Sequence, residues 1–177
     1  MFAAYHRALT KRPILVQSLS TAVLFATVGD VIAQQIVEKK GWEQHDLIRT
    51  SRMATFGCVF AGPALSTWYR FIDRSVKTTK PLQGLLTKVA LDQFLFAPFF
   101  IGAFFSVQGL FEGKSMNDIK EKLASSYTTA LIGNYKIWPA VQICNFYFTP
   151  LNYRLMVTNV VALGWNAYLS TVNQRSN

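Results

Sequence analysis

Charge is absent from four long stretches of this chain, and that spacing constrains the fold more than any other feature. Residues 13–29, 53–69, 93–111 and 155–174 contain no Asp, Glu, Lys or Arg. Arg52 and Arg70 bracket the second stretch, Asp92 and Glu112 the third, Arg154 and Arg175 the fourth. Beyond Asp30 the apolar pattern of the first continues to Val37. A helix of about 17 residues is about 26 Å long, and about 20 residues cross the ~30 Å hydrocarbon core. A soluble bundle would give each helix a charged face, and these stretches have none. The fold is read as all-α: an integral membrane bundle of about four transmembrane helices in one domain, 1–177. The spans are placed at about 13–37, 53–70, 89–111 and one within 131–172.

Composition agrees. Of 177 residues, 51% are apolar and only 15% charged, against about 25% charged in a soluble domain. Disorder, collagen and coiled coil are excluded. With two cysteines, Cys58 and Cys144, both in apolar runs, a disulfide scaffold is excluded too. They are read as small buried hydrophobes, with redox chemistry as the minor alternative. Trp42, Trp68, Tyr69, Trp138 and Tyr168 fall near run ends, where amphipathic rings prefer the headgroup level.

The N-terminus carries Arg7, Lys11 and Arg12 and no acid before Asp30. Such a segment resembles a mitochondrial targeting sequence, here retained, or is a basic flank on a membrane helix. The net charge of +9 invites a nucleic-acid reading, but the cations are scattered and no nucleic-acid module is present. Anionic lipid headgroups account for them, and no direct nucleic-acid partner is expected. The four expected spans divide the 18 Lys and Arg equally between the two sides, so charge bias fixes no orientation.

Small residues recur at helical spacing, which lets helix backbones approach in lipid. Ala22 and Gly29 on the first helix, Gly57 on the second, and Gly102 and Ser106 on the third are the packing candidates. Thr10 is expected as the first N-cap and Pro13 as a first-turn residue. Ser115 and Asp118 form a capping-box pattern opening an amphipathic helix over about 115–134, with Ile119, Leu123, Tyr127 and Leu131 on one face. Residues 137–149, ending before Pro150, are too few to cross and suggest a half-span.

Catalytic patterns are missing. His6 and His45 stand apart, no His/Cys set has metal-ligand spacing, and no nucleophile elbow or phosphate loop occurs. The chain is therefore read as no enzyme, with no cofactor and no metal. The informative residues are polar groups inside apolar stretches, which are costly in lipid and face a partner or a water-filled cavity. These are Asp30, Gln34, Asp92, Gln93, Lys136, Gln142, Asn145, Arg154 and Asn159. Asn145, Asn152, Asn159, Asn166 and Asn173 recur every seven residues, nearly two helical turns. Either these groups hydrogen-bond between helices and fix the bundle, or they line a hydrated path. An ion pair between Asp30 or Asp92 and Lys136 or Arg154 is expected.

A resemblance rests on particular residues. Trp138-Pro139-Ala140-Val141-Gln142-Ile143-Cys144-Asn145-Phe146, then Pro150, Arg154, Asn159 and Trp165-Asn166-Ala167-Tyr168-Leu169-Ser170, strongly resemble the Mpv-seventeen/peroxisomal-membrane-protein-twenty-two family. Gly29-Asp30 with Gln34, Arg49 with Arg52, Gly62-Pro63 with Trp68-Tyr69, and Asp92-Gln93 with Ala97-Pro98 fit it as well. The length and Asn134-Tyr135 are most similar to its mitochondrial inner-membrane branch, with the peroxisomal membrane as runner-up. The resemblance implies four spans, the last across the Trp138 block, whereas run length favours 151–172. It also implies a non-selective channel for small polar solutes, tied to membrane-potential control, nucleotide pools, mitochondrial DNA maintenance and stress. The alternative is a non-conducting scaffold organising inner-membrane complexes. Implied partners are the lipid bilayer, small polar metabolites, and a homo-oligomer or larger complex.

Overall fold

The computed structural model describes residues 2–175, with the side chains of 2–4, 26–28, 37 and 165–175 excepted. The described residues are helical, without strands. Six helices follow in order: α1 Phe2–Lys11, α2 over 13–37, α3 over 47–75, α4 Pro81–Phe111, α5 Met116–Phe148 and α6 Arg154–Arg175. One of them, Pro81–Phe111, is long and apolar enough to cross a membrane by length and composition alone.

Local sequence explains the boundaries. Pro13 and Pro81 occupy first-turn positions of their helices, where the missing N–H has no partner to lose. Thr10 is not a cap; its hydroxyl turns back to the carbonyls of His6 and Arg7 within α1. Ser115 and Asp118 do form the reciprocal capping box at the start of α5. Gly41 and Gly113 turn the chain after α2 and α4 with φ of 73° and 70°, values that glycine adopts without a Cβ clash.

Three helices widen into π-turns, at Leu24–Val31 and Ala33–Val37 in α2, Phe56–Ala61 in α3 and Asp92–Phe96 in α4. Pro63 and Pro98 stand two residues beyond the last two. A proline ring cannot donate to the fourth carbonyl back and collides with it, so a wider turn upstream relieves the clash. Pro139 sits within α5 without breaking it. The amphipathic helix expected to end near 134 and the expected half-span at 137–149 are therefore one continuous helix, about 50 Å long at 1.5 Å per residue.

The chain divides into two compact units, Met1–Thr67 with Asn152–Asn177, and Trp68–Leu151. In the first, the backbones of α2 and α3 touch. A Cβ on Gly57 would lie 2.9 Å from Ala22 Cα, and one on Gly62 would collide with Ser18 Cα. Helix α6 runs alongside α2 in the same direction. Gln17 donates to the Asn152 carbonyl at 2.8 Å, Asn159 donates to Thr21 Oγ1 at 2.9 Å, and Leu163 lies near Gly29. In the second unit, α5 runs antiparallel to α4. Ile119 fills the space over Gly109, the Tyr127 hydroxyl donates to the Pro98 carbonyl at 3.2 Å, and Asn134 donates to Gln93 at 3.0 Å.

Polar side chains share the interior of each unit with apolar ones such as Phe56, Ile72 and Phe146, while many large apolar side chains lie outside. Asp30, Gln34, Asp92, Gln93, Gln142 and Asn145 are buried, while Leu19, Val59, Phe94, Phe99 and Phe148 are exposed by half or more. Apolar side chains on the outside and polar ones inside suit a lipid solvent.

Candidate functional site

Two polar clusters are built from buried carboxylates on π-turns. In the first unit, Asp30 is 2% exposed. Gln34, one turn on, donates to its Oδ2 at 2.7 Å, and the Thr50 hydroxyl donates to the same oxygen at 2.5 Å. Arg49 Nε stands 2.7 Å from Oδ1, and its Nη1 reaches Glu38 Oε1 at 2.8 Å. Lys40 pairs with the other Glu38 oxygen at 3.0 Å. Gln34 also accepts from the Asp46 backbone N–H at 2.7 Å, tying the end of α2 to the start of α3. With Gln35 as donor to His45 Nδ1 at 2.9 Å, His45 Nε2 donates to Thr50 Oγ1 at 2.9 Å and continues the chain to Asp30.

Charges outside the apolar stretches respond as this geometry requires. Burial raises the Glu38 carboxyl, but hydrogen bonds from Arg49 and Lys40 outweigh it and hold the group below its usual range. Asp46 is held low by the Arg49 backbone N–H that it caps. Asp118 is held low by hydrogen bonds from the Ser115 hydroxyl and, second, the Ser115 backbone N–H.

In the second unit, Asp92 is 3% exposed and opens the π-turn of α4. Trp68 Nε1 donates to Oδ1 at 2.9 Å; Gln93 and Gln142 donate to Oδ2 at 2.8 and 2.9 Å. Gln142 also donates to the Tyr69 hydroxyl at 3.0 Å and accepts from Asn145 at 3.3 Å. Every donor to Asp92 is neutral. The Trp68 and Phe96 rings stack beside it at 4.8 Å, and Phe146 meets Tyr69 edge-on at 5.8 Å. A polar knot thus sits within an aromatic shell. Among the described residues, no group of His, Cys, Asp and Glu could hold a metal ion.

Comparison with known proteins settles the family. The model of the Mpv17 / PMP22 family matches residues 109–170. Protein SYM1 of Gibberella zeae is 48% identical over 172 residues, covering 97% of this chain and 96% of that protein. The mitochondrial inner membrane protein Mpv17 of Rattus norvegicus is 46% identical, and that of Homo sapiens 45%, each over 96% of both chains. No solved structure matches. This chain belongs to the Mpv17 / PMP22 family. It is a mitochondrial inner-membrane protein.

Within this family member, the residues singled out by sequence fall into separate groups. Asp30 and Gln34 meet in one cluster; Asp92, Gln93, Gln142 and Asn145 meet in the other. Asn159 is buried against Thr21 in the first unit. Among the described residues, Asp30 forms its ion pair with Arg49, and the donors to Asp92 are the neutral groups above. Lys136 is exposed on α5, and Arg154 is buried at the start of α6. Arg49 reaches Asp30 because α3 begins beside the end of α2. Gly29 and Gly102 are not close-contact points, since a Cβ there would meet nothing nearer than 3.7 Å. Ser106 hydrogen-bonds within its own helix, to the Gly102 carbonyl at 2.9 Å. Cys58 is half-buried, but Cys144 is exposed on α5, and both are free. An apolar neighbourhood in sequence meant the outside of the helix at Cys144. The side chains of Asn166 and Asn173 lie outside the described residues.

Sequence reasoning missed Arg49, Thr50, Trp68, Tyr69 and Asn134 as cluster members. Trp68 and Tyr69 read as membrane-interface rings, and nothing local signals that an indole N–H will meet a carboxylate 24 residues on. Arg49 carried a signal: it stands near the start of the helix that follows the one holding Asp30.

Proposed function

We propose that the chain forms a passage for small polar solutes across the inner membrane and performs no catalysis. The observation that carries the reading is that each unit buries polar side chains beneath exposed apolar ones, Asp30 and Gln34 in the first and Asp92, Gln142 and Asn145 in the second. A solute path needs polar lining groups within a shell compatible with lipid. On this reading the passage contributes to membrane-potential control, metabolite and nucleotide balance and, through that balance, mitochondrial DNA maintenance under stress. Metabolites and the bilayer are its partners, and nucleic acid is not.

The number of crossings follows from helix pairing within each unit. Helix α5 tracks α4 and α6 tracks α2, so a bilayer crossed by the earlier helix of a pair is crossed by the later one. Helices α5 and α6 then both span, giving five crossings with α2, α3 and α4. Cysteine labelling from each side tests this: termini on opposite faces support five crossings, and termini on one face support four.

A specific observation favours the second reading, a non-conducting scaffold. The polar side chains of each cluster bond chiefly to one another, as struts would. Purified protein in liposomes decides between the two. Flux of small polar solutes above protein-free liposomes supports the passage; its absence at full incorporation supports the scaffold.

A further inference from the structure

Neither cluster uses Arg70. This residue lies on α3, two positions after Trp68, and its Nε is buried with no hydrogen-bond partner. Among the described residues it joins no ion pair. The only acid between residues 68 and 91 is Asp73, which pairs with Lys88, whose Nζ donates to it at 2.6 Å. Arg74 stands one turn beyond Arg70 on the same helix face and is exposed, and among the described residues it too joins no ion pair. Lys77 and Lys80 follow, both exposed.

A buried N–H without an acceptor costs free energy, and two like charges one turn apart repel. An oxyanion placed between the two guanidinium groups offsets their repulsion and supplies acceptors to the Arg70 side chain. Arginine's planar fork matches phosphate oxygens in particular, two donors to two oxygens. The surroundings indicate where that phosphate comes from. Phe71 on α3 and Leu82 and Leu86 on α4 are exposed by 52, 68 and 53%. A dissolved anion has no use for an apolar rim, whereas a headgroup brings acyl chains that would cover it. We propose that Arg70 and Arg74 bind a phosphate group, and that its source is the headgroup of an acidic phospholipid seated at the end of α3. This site is independent of whether the protein conducts.

The test titrates the purified full-length chain in detergent with phosphatidylglycerol, phosphatidylcholine and inorganic phosphate, reading melting temperature and retained lipid by native mass spectrometry. Phosphatidylglycerol should stabilise the protein and remain bound; phosphatidylcholine should not. Arg70→Gln and Arg74→Gln should each weaken phosphatidylglycerol binding about tenfold. Arg70→Lys should weaken it less, and Lys122→Gln on α5 should leave it unchanged. Equal protection by inorganic phosphate, lost in Arg70→Gln, would keep the phosphate site and overturn the lipid source. Equal binding of phosphatidylglycerol and phosphatidylcholine by the wild type, or undiminished phosphatidylglycerol binding in Arg74→Gln, would overturn the site. Arg74 is exposed, so its variant serves even if Arg70→Gln does not fold.

Discussion

Asp30 and Asp92 are the same residue type, equally buried, each on a π-turn of an apolar helix. Their environments nevertheless differ in charge. Asp30 faces Arg49, and that guanidinium continues through Glu38 to Lys40, a line of alternating charges leading out of the buried site. Asp92 faces an indole and two amides. A carboxylate with a fixed cation is locked, because removing the partner leaves a buried charge alone. One with neutral donors keeps its place while its own charge stays uncompensated by the protein. The first arrangement suits a joint between helix ends, and the second, on the proposed passage, suits a group that meets polar solutes.

Breaking the charged joint should have the largest effect. Arg49→Gln strands Asp30, and loss of one partner of a buried pair costs about 3–5 kcal/mol. The low end is expected, since the Arg49 side chain is 34% exposed. Melting in detergent measures it, and adding Asp30→Asn should recover most of the loss. A double variant no more stable than Arg49→Gln would show that the pair is not the joint.

Packing comes next and sharpens the contrast between units. Gly62→Ala should cost about 1–3 kcal/mol, as its Cβ would collide with the Ser18 backbone. Gly102→Ala should be nearly silent in the same melts, with Tyr127 Cε2 at 3.7 Å as its nearest neighbour. Equal losses would place the tight contact elsewhere.

The neutral cluster should yield less than the charged one. Gln142→Leu removes a donor from Asp92 and another from Tyr69, and net hydrogen-bond contributions of about 1 kcal/mol each set the scale. A loss exceeding that of Arg49→Gln would reverse the ranking of the two sites.

The smallest effect is pH dependence at the joint. The folded Glu38 carboxyl lies below its ordinary value of 4.5. Its stabilisation is therefore present above that value and is lost as pH falls through the lower folded one. Wild-type melting temperature should decline on acidification below about 4.5, and Arg49→Gln should flatten that decline. An unchanged slope in the variant would detach Glu38 from the joint. Asp46 remains capped in both proteins, because its donor is a backbone N–H.

Much of the helical framework was legible because its signals are local. Uncharged runs, Pro13 at a first turn, and the Ser115–Asp118 box depend on neighbours within a few residues. The partner of Asp30 was not, since sequence gives charge but not which helix end will lie beside it. Small-residue stripes showed that backbones could approach, and Gly57 does so, as does Gly62, which the stripe did not include. The same pattern at Gly102 left room for Tyr127, a choice made by the opposing helix. The amphipathic helix was expected to end near 134, yet α5 continues past that point and through Pro139. Cys144 read as buried because apolar runs signal burial in water; in lipid the same run can face outward. For the second cluster, the stretch from Gln142 to Asn145 and the pair Asp92-Gln93 were visible as polar groups in apolar runs. Their union required the antiparallel course of α5 beside α4.

The account stands on the polar groups of the second cluster lining a path, and Asn145 tests that most directly. Asn145 is 1% exposed and donates to Gln142. Flux in liposomes and melting temperature should be measured on the same preparations of Asn145→Leu and wild type. Replacing a lining amide with an apolar group dewets a constriction and opposes polar solutes. The prediction is a clear fall in flux with stability reduced by about 0.6 kcal/mol or less, the average for such bonds in membranes. Normal flux with a lowered melting temperature would contradict it and leave Asn145 as a strut.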